Sequence, residues 1–347
     1  MLDLQRLFLT PDQFLCAFEG ANAAFVEMDR QAYHRSIFTD RRLSPKSPAI
    51  QRLKVDAVLA AQAEHASASP LGVCYIFHIA HCGSTLLARA LDLPDANLVC
   101  REPMALRQLG VEAAGFYGAP PPEVWRRRAA LAWTLLGRRY NADGPVIVKA
   151  NVPVNFALAP LMALKPEQPA ILLYYPLEDY LLAILRSDVH RGWVQHVSGE
   201  LAHGIAAIVG ATGDNDTLAV KAARLWLAQL LIFADALGQF PNAASLDAES
   251  LFNAPADALS ASFAHFGMAQ TPVAVDAIVT GELFARYSKD PRMQFDNAQR
   301  LERREALRRE LAGELEQARV WVAQCAAAAR LPQRLAKPLV GAGAPLI

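Results

Sequence analysis

Five short runs of apolar residues recur along the chain, separated by segments in which apolar positions return every three or four residues. Short apolar runs rich in β-branched and aromatic residues are typical of buried strands, and the intervening period is that of amphipathic helices. The alternation predicts an α/β fold of three layers, with helices flanking a mostly parallel central sheet. The predicted strands are GVCYIFHI (72–79), ANLVC (96–100), GPVIVK (144–149), PAILLYY (169–175) and AASLDAE (243–249).

Before this core, the periodicity predicts an N-terminal helical extension. Over residues 10–38, Thr10 fits an N-cap, and Phe14 and Phe18 begin an apolar series at spacings of three to four. A second helix is expected over residues 49–66. We therefore expect no strand before residue 70.

After residue 120, further helices are expected at 122–140, at 217–240 and, as a C-terminal extension, at 297–330. The final segment GAGAPLI (341–347) is expected to be loose. A chain of 347 residues forms one large domain or two smaller ones, and we favour one. We divide it into a helical extension (1–69), an α/β core (70–268) and a lid loop with a long helix (269–347).

Composition excludes several classes of protein. Hydrophobic residues make up 53% of the chain and the formal net charge is zero, which argues against a nucleic-acid or membrane partner. The five cysteines show no paired spacing, and the first residues lack a cleavage signal. We expect a cytoplasmic protein with no metal site, and homo-oligomerisation stays open.

The stretch FHIAHCGSTLLARAL (77–91) carries the first candidate chemistry. It lacks the glycine and lysine of a nucleotide-hydrolysing P-loop, because His78 and Ser84 stand at those positions. A strand, a turn at Gly83 and a helix starting near Ser84 still predict an anion site. A plain strand-to-helix turn is the structural alternative.

Charged residues end two of the predicted strands. Glu102 follows the second strand, and Lys149 ends the third. Because parallel strands end at one edge of a sheet, both are expected near the Gly83 turn. The alternatives are a surface pair of Glu102 with Arg101 and a lysine that reaches solvent.

Three segments in order along the chain resemble the sulfotransferases, which move a sulfuryl group from 3'-phosphoadenosine 5'-phosphosulfate to an acceptor. These segments are AHCGSTLLARAL (80–91), REP (101–103) and SLDAESLFNAPADALSASFAHFGM (245–268). The resemblance implies a P-loop-like fold, that co-substrate, and a hydroxyl or amine acceptor on a small molecule or peptide. It also implies catalytic roles for Glu102, as the base, and for Lys149. His81 is the competing base, because the intrinsic pKa of histidine is favourable.

For the donor, the resemblance implies contacts from the loop residues His81, Cys82, Gly83, Ser84 and Thr85. The family usually grips the 3'-phosphate with Arg and Ser, where this chain has Tyr174 and Leu182. Arg186, four residues after Leu182, is the expected substitute on the same helix face. Lys289 and Arg292 in the segment YSKDPRMQF are expected to close over the donor.

Two other functions stay open from the sequence. The first is a nucleotide-binding or regulatory protein that has this fold without transfer chemistry, suggested by Tyr174 and Leu182. The second is a kinase-like phosphotransferase, although the Walker lysine is missing. For the acceptor, the aromatic residues Phe116, Tyr117, Trp125 and Trp193 suggest a partly apolar pocket over 115–133 and 191–213.

Overall fold

The structure is a computed structural model that describes residues 4–65, 72–140, 144–211, 213 and 216–347. The expected boundary between residues 69 and 70 lies outside the described residues. The strands are β1 (Gln13–Glu19), β2 (Asn22–Glu27), β3 (Ser47–Lys54), β4 (Val73–His78), β5 (Leu98–Arg101), β6 (Val146–Lys149), β7 (Ala170–Tyr174) and β8 (Ala243–Asp247).

Helices account for most of the remaining described chain. They are α1 (Leu4–Leu7), α2 (Arg30–Arg35), α3 (Val55–His65), α4 (Ser84–Ala90), α5 (Met104–Gly115), α6 (Glu123–Leu136), a 3₁₀ helix (Val152–Ala157), α7 (Leu158–Met162), α8 (Leu177–Ile184), α9 (Asp188–Glu200), α10 (Ala202–Val209), α11 (Leu218–Gln239), α12 (Ala248–Asn253), α13 (Pro255–His265), α14 (Pro272–Val279), α15 (Glu282–Ala285), α16 (Asn297–Glu310) and α17 (Ala312–Ala329).

The central sheet confirms the predicted fold class. Within the described residues it has five strands, all parallel, in the order β5-β6-β4-β7-β8. Every residue of these strands is buried, which is why they read as continuous apolar runs. The first strand of the sheet, β4, lies at its centre and runs into the Gly83 turn.

The predicted N-terminal helical extension is wrong. Strands β1, β2 and β3 form an antiparallel sheet, with β2 in the middle. Strand β1 has an irregular register between Leu15 and Ala17, so Phe14 is opposite Val26 and Phe18 is opposite Ala23, on the other face of the sheet. The apolar spacing that resembles a helix period is therefore that of a bulged strand. Gly20, with φ +58°, forms the turn that pairs Glu19 with Asn22.

The second predicted helix is correct only in its later part. Residues 47–54 form β3, and α3 begins at Val55. Pairing with β2 holds the earlier part as a strand, since Ala23 is opposite Leu53 and Phe25 is opposite Gln51. Contacts with a distant segment therefore override the local helical pattern.

Later helices agree better with the prediction. Helix α6 covers most of 122–140, and α11 begins after its cap Thr217, whose hydroxyl accepts from Val220 N at 3.4 Å. The expected long helix at 297–330 is two helices, α16 and α17, because the chain leaves helical geometry at Leu311 (ψ +13°).

The C-terminal segment 331–347 packs against the sheet and is not loose. Ser245 of β8 donates its backbone N–H to Lys337 O at 2.9 Å and accepts from Leu339 N at 2.8 Å. Leu346 is fully buried, and its carbonyl accepts from Leu177 N at 2.9 Å. The end of the chain therefore covers the β8 edge.

Arg101, the last residue of β5, joins the N-terminal segment to the central sheet. Its guanidinium contacts Asp92 at 3.0 Å and donates to the carbonyls of Tyr33, His34 and Ser36 at 2.7 to 3.1 Å. Both Arg101 and Asp92 are buried. Arg101 is thus committed to the fold, and the predicted surface pair with Glu102 does not form.

None of the described helices combines the length and the hydropathy that a bilayer crossing requires.

Candidate functional site

The turn after β4 has unusual backbone geometry. Gly83 has φ +82°, and a Cβ at this position would lie 2.9 Å from the ring of Phe252. His81 also has a positive φ, +60°, although it is not glycine. Such conformations are uncommon outside glycine and are frequent at functional sites.

Beyond this turn, Ser84 and Thr85 begin α4 and line a cavity of about 470 Å³. Both residues are buried, and Thr85 Oγ1 has no hydrogen-bond partner among the described residues. A buried hydroxyl without a partner is costly unless a ligand or water satisfies it. Thr85 is therefore the loop residue that most directly indicates a ligand.

Cys82 was also predicted to bind the donor, but its side chain does not face the cavity. The thiol is fully buried and points to the carbonyls of Ile79 at 2.9 Å and Leu173 at 3.7 Å. Burial raises the pKa of this thiol to about 12. The side chain of Cys82 is a packing group of the sheet, and only its backbone remains available to a ligand.

The cavity wall carries an excess of positive charge. Among the described residues that line it, the basic ones are Arg186, Arg286, Lys289, Arg300, Arg303 and Arg304, and the carboxylates are Asp179, Glu249 and Asp296. The whole chain has a formal net charge of zero, so this excess is local. A concave basic wall attracts anionic ligands.

Arg186 lines this cavity, although not from the predicted helix face. Helix α8 ends at Ile184, and Arg186 lies in the short connection before α9. Its guanidinium contacts His190 Nε2 at 2.9 and 3.2 Å and Tyr287 OH at 3.5 Å. Within the described chain it forms no ion pair with a carboxylate.

Lys289 lines the cavity from the connection between α15 and α16. The neighbouring Ser288 carbonyl accepts from Arg89 of α4 at 3.0 Å, which fixes this segment against the loop helix. No hydrogen bond or ion pair to Lys289 occurs in the part of the chain that the structure describes. Burial lowers the pKa of the Lys289 ammonium, as expected for a cation without a close counterion.

Arg292, predicted to close over the donor with Lys289, is not a cavity residue. Its side chain is 89% exposed and pairs with Asp290 at 2.8 Å. Such an exposed pair adds little energy, and it keeps the arginine at the surface. Only Lys289 of this predicted pair reaches the cavity.

Tyr174 and Leu182, which stand where the sulfotransferase pattern has Arg and Ser, occupy different environments. Tyr174 is buried at the end of β7, and its hydroxyl accepts from Ala344 N of the C-terminal segment at 3.3 Å. Leu182 lines the cavity with an apolar side chain. Neither position supplies charge, and Arg186 is the nearby residue that does.

Glu102 and Lys149 are brought together as a buried ion pair at the ends of β5 and β6. Lys149 is fully buried, and the side chain of Glu102 is 13% exposed and also accepts from Asn151 at 3.2 Å. Burial opposes ionisation, but the Lys149 ammonium outweighs it and lowers the pKa of Glu102 to about 2. Glu102 also has a positive φ, +62°.

This ion pair lies beside the cavity and not in its wall. The cavity-lining residues of the described chain include neither Glu102 nor Lys149. Lys289 connects the two regions, since its charge helps to lower the pKa of Glu102. The alternative of a lysine that reaches solvent does not apply, because Lys149 is fully buried and its ammonium is held by Glu102.

His81 faces the cavity and packs against a second histidine. Its ring centroid lies 4.3 Å from that of His190 and 6.2 Å from that of Trp193. Burial, together with Lys289 and His190, lowers the pKa of His81 well below its usual value. His81 is neutral at pH 7 and is a weak base.

The aromatic residues predicted to form an acceptor pocket are mostly packed in the core. Trp125 is buried, meets Phe116 edge to face at 5.6 Å and donates to Leu109 O. Tyr117 packs against Phe156 at 5.8 Å. Of the four, only Trp193 contacts a residue of the cavity, and part of the predicted 191–213 segment lies outside the described residues.

Several cavity residues had not been identified from the sequence. Arg300 stacks at 4.5 Å over Phe252 and forms a two-pronged pair with Glu249 at 2.6 and 2.9 Å. His190 lies four residues after Arg186, a spacing that gave a weak signal. Arg300 had no signal, because its partners come from distant segments.

The described residues contain no group of three or more His, Cys, Asp or Glu side chains placed to hold a metal ion.

Comparisons with known proteins give matches in structure only. No protein-family model and no curated protein sequence matches the chain. A sulfotransferase from Alicyclobacillus acidocaldarius is similar in structure, with a TM-score of 0.39 and 12% identity, over 75% of this chain and 96% of that one. The sulfotransferase domain from the curacin biosynthetic pathway has a TM-score of 0.37 and 13% identity, over 73% and 96%.

Proposed function

We propose that this cavity binds 3'-phosphoadenosine 5'-phosphosulfate and that the protein transfers its sulfuryl group to a hydroxyl or amine acceptor. The observation that carries the proposal is a basic cavity in which Arg186 and Lys289 have no carboxylate partner among the described residues. The unpartnered Thr85 hydroxyl lies in the same wall. Three segments that resemble sulfotransferases, in the expected order, support the identity of the anion.

The residues present fit a donor with phosphate groups at two positions. Ser84 and Thr85 would hold the 5' end, Arg186 the 3'-phosphate, and Lys289 would add charge from the segment above. The rings of Phe252 and Phe295, 5.9 Å apart, offer an aromatic surface in the same cavity. The donor itself supplies the activated sulfuryl group.

In this proposal, Glu102 accepts the proton of the attacking hydroxyl or amine, and Lys149 stabilises charge on the leaving bridging oxygen. The ion pair keeps Glu102 a weak base, since its pKa is about 2. Transfer therefore requires Lys149 to exchange Glu102 for the bridging oxygen, which would make the carboxylate more basic. No metal takes part in the proposed reaction.

One observation favours a second function. The close Lys149 contact that neutralises Glu102 also fits a nucleotide-binding protein of this fold without transfer chemistry. Such a protein would bind the same ligand and release it unchanged. Binding and transfer must accordingly be measured separately.

Isothermal titration calorimetry with adenosine 3',5'-bisphosphate, adenosine 5'-phosphate and ATP with magnesium tests the binding step. We expect the bisphosphate to bind most tightly. Preference for ATP with magnesium would contradict the proposal and favour a phosphotransferase. If the bisphosphate binds, transfer is then followed with labelled donor and a panel of hydroxyl and amine acceptors, and with the Glu102→Gln variant as a control. Turnover that needs added magnesium would also count against the proposal.

A further inference from the structure

Arg186 is held in the cavity wall by uncharged partners. Its partners in the described chain are an imidazole and a phenol hydroxyl, from His190 and Tyr287. A carboxylate partner would orient the guanidinium equally well but would cancel most of its charge. Neutral partners leave that charge to an incoming anion.

The hydrogen bonds around His190 define its state. Arginine can only donate, so His190 Nε2 accepts from Arg186, at 2.9 and 3.2 Å. The proton of the neutral ring is then on Nδ1, which lies 2.6 Å from Ser187 Oγ. Arg186 thus selects the tautomer whose Nε2 lone pair faces it, and Ser187 Oγ stabilises that tautomer by accepting from Nδ1–H.

The surroundings keep this imidazole neutral. The groups that act on it are cationic: Arg186, Lys289 and Arg303. Burial and these charges lower the pKa of His190 to about 4. The ring of His81 packs against its face at 4.3 Å and holds it in place beside the Gly83 turn.

We infer that His190 is a positioning residue for anion binding: in the neutral tautomer that Ser187 stabilises, it orients the Arg186 guanidinium toward the cavity and leaves its charge uncompensated. The ligand class is a nucleotide with a second phosphate away from the 5' end. This inference rests on the proposed function, because it assigns Arg186 to that second phosphate.

Three substitutions at His190 separate orientation from charge. His190→Ala removes the acceptor, His190→Gln restores a neutral acceptor through its amide oxygen, and His190→Glu supplies an acceptor that neutralises Arg186. The measured quantity is the ratio of the Kd values for adenosine 5'-phosphate and adenosine 3',5'-bisphosphate. A residue that only supports the fold would change both Kd values together and leave this ratio unchanged.

We expect the ratio to fall about tenfold in His190→Ala and in His190→Glu, and to stay within about threefold of the parent in His190→Gln. His196→Ala is the matched control, since His196 is an exposed histidine of the same helix. An unchanged ratio in His190→Ala, or a loss in His190→Gln as large as in alanine, would overturn the inference while the proposed function stands. A parent protein that does not prefer the bisphosphate would overturn both.

Discussion

Two arginines of the cavity carry their charges in different ways. Arg300 is paired with Glu249 and stacked on Phe252, so its charge serves the structure of the wall. Arg186 has only neutral partners in the described chain. At the scale of single residues, the partner of a cation decides whether it stabilises the fold or remains available to a ligand.

Replacing Arg186 with alanine should therefore act on one phosphate only. A charge-assisted hydrogen bond contributes about 1.5 to 3 kcal/mol, so binding of adenosine 3',5'-bisphosphate should weaken by roughly ten- to a hundredfold. Binding of adenosine 5'-phosphate should be nearly unchanged, as both titrations by calorimetry would show. Arg126→Ala, an exposed arginine paired with Glu123, is the control. Equal losses for both ligands would mean that Arg186 supports the fold.

Asp179 should make the proposed anion binding depend on pH. Burial raises the pKa of this cavity carboxyl to about 6, against the opposing effect of Arg304. As the pH rises from 5 to 7, Asp179 ionises and the cavity becomes less attractive to phosphate. We expect the parent to lose about three- to tenfold in affinity relative to Asp179→Asn over this range. The ligand's own ionisation affects both proteins equally and cancels in this comparison. If the affinities of the parent and of Asp179→Asn changed in parallel with pH, Asp179 would not have this role.

At the scale of elements, the C-terminal segment 331–347 engages Tyr174 at the end of β7. Its backbone N–H at Ala344 donates to the Tyr174 hydroxyl, and it also pairs with β8 at Ser245. Tyr174 is thereby committed to the fold. This leaves the connection after α8, which carries Arg186, as the part of this region that brings charge to the cavity.

The last two residues of the chain test the packing of this segment. Leu346 is fully buried, whereas Ile347 is 64% exposed. Removing buried methyl groups leaves a cavity, so Leu346→Ala should lower the free energy of unfolding by about 2 to 4 kcal/mol. Ile347→Ala should change it by less than about 0.5 kcal/mol. Urea unfolding measures both, and similar small changes would show that the segment is loose in solution.

At the scale of the whole molecule, a chain with zero formal net charge places an excess of basic residues around a cavity, and buried Arg101 joins the N-terminal segment to the central sheet. Arg101 links the N-terminal segment, through the carbonyls at the C-terminal end of α2, to the end of β5. Removing it would leave those carbonyls and Asp92 without this partner. The single-domain organisation of the chain stays a prediction that this link makes testable.

We expect the parent to unfold in one transition and Arg101→Met to lose about 3 kcal/mol or more of stability. All five tryptophans follow residue 120, so their fluorescence reports the later part of the chain. Hydrogen exchange of β1 to β3 reports the N-terminal sheet. In Arg101→Met this sheet should exchange at lower urea than the fluorescence transition. Arg52→Met removes one partner of an exposed pair with Glu19 and is the control: its fluorescence and hydrogen-exchange transitions should occur at the same urea concentration. Coincident transitions in Arg101→Met would show that the link is unimportant.

The sequence by itself determined the parallel sheet and the chemistry at its edge. Buried strands are short and mainly apolar, and β4 to β8 stand out in this way because burial on both faces favours apolar residues, with polar residues mostly near the strand ends. Strand ends are local features too, so Gly83, Glu102 and Lys149 could be located before any tertiary contact was known. Their roles in catalysis and binding stay predictions.

Only the tertiary structure decided the N-terminal sheet, the packed C-terminal segment and the partners of each charge. The spacing of Phe14 and Phe18 fits a helix, but pairing with β2, which also pairs with residues 47–54, holds this segment as a bulged strand. Lys149 was joined to Glu102, Tyr174 to Ala344 and Arg186 to His190 by folding. Local spacing records which residues are apolar or charged, whereas pairings between segments far apart in the chain depend on the whole packing.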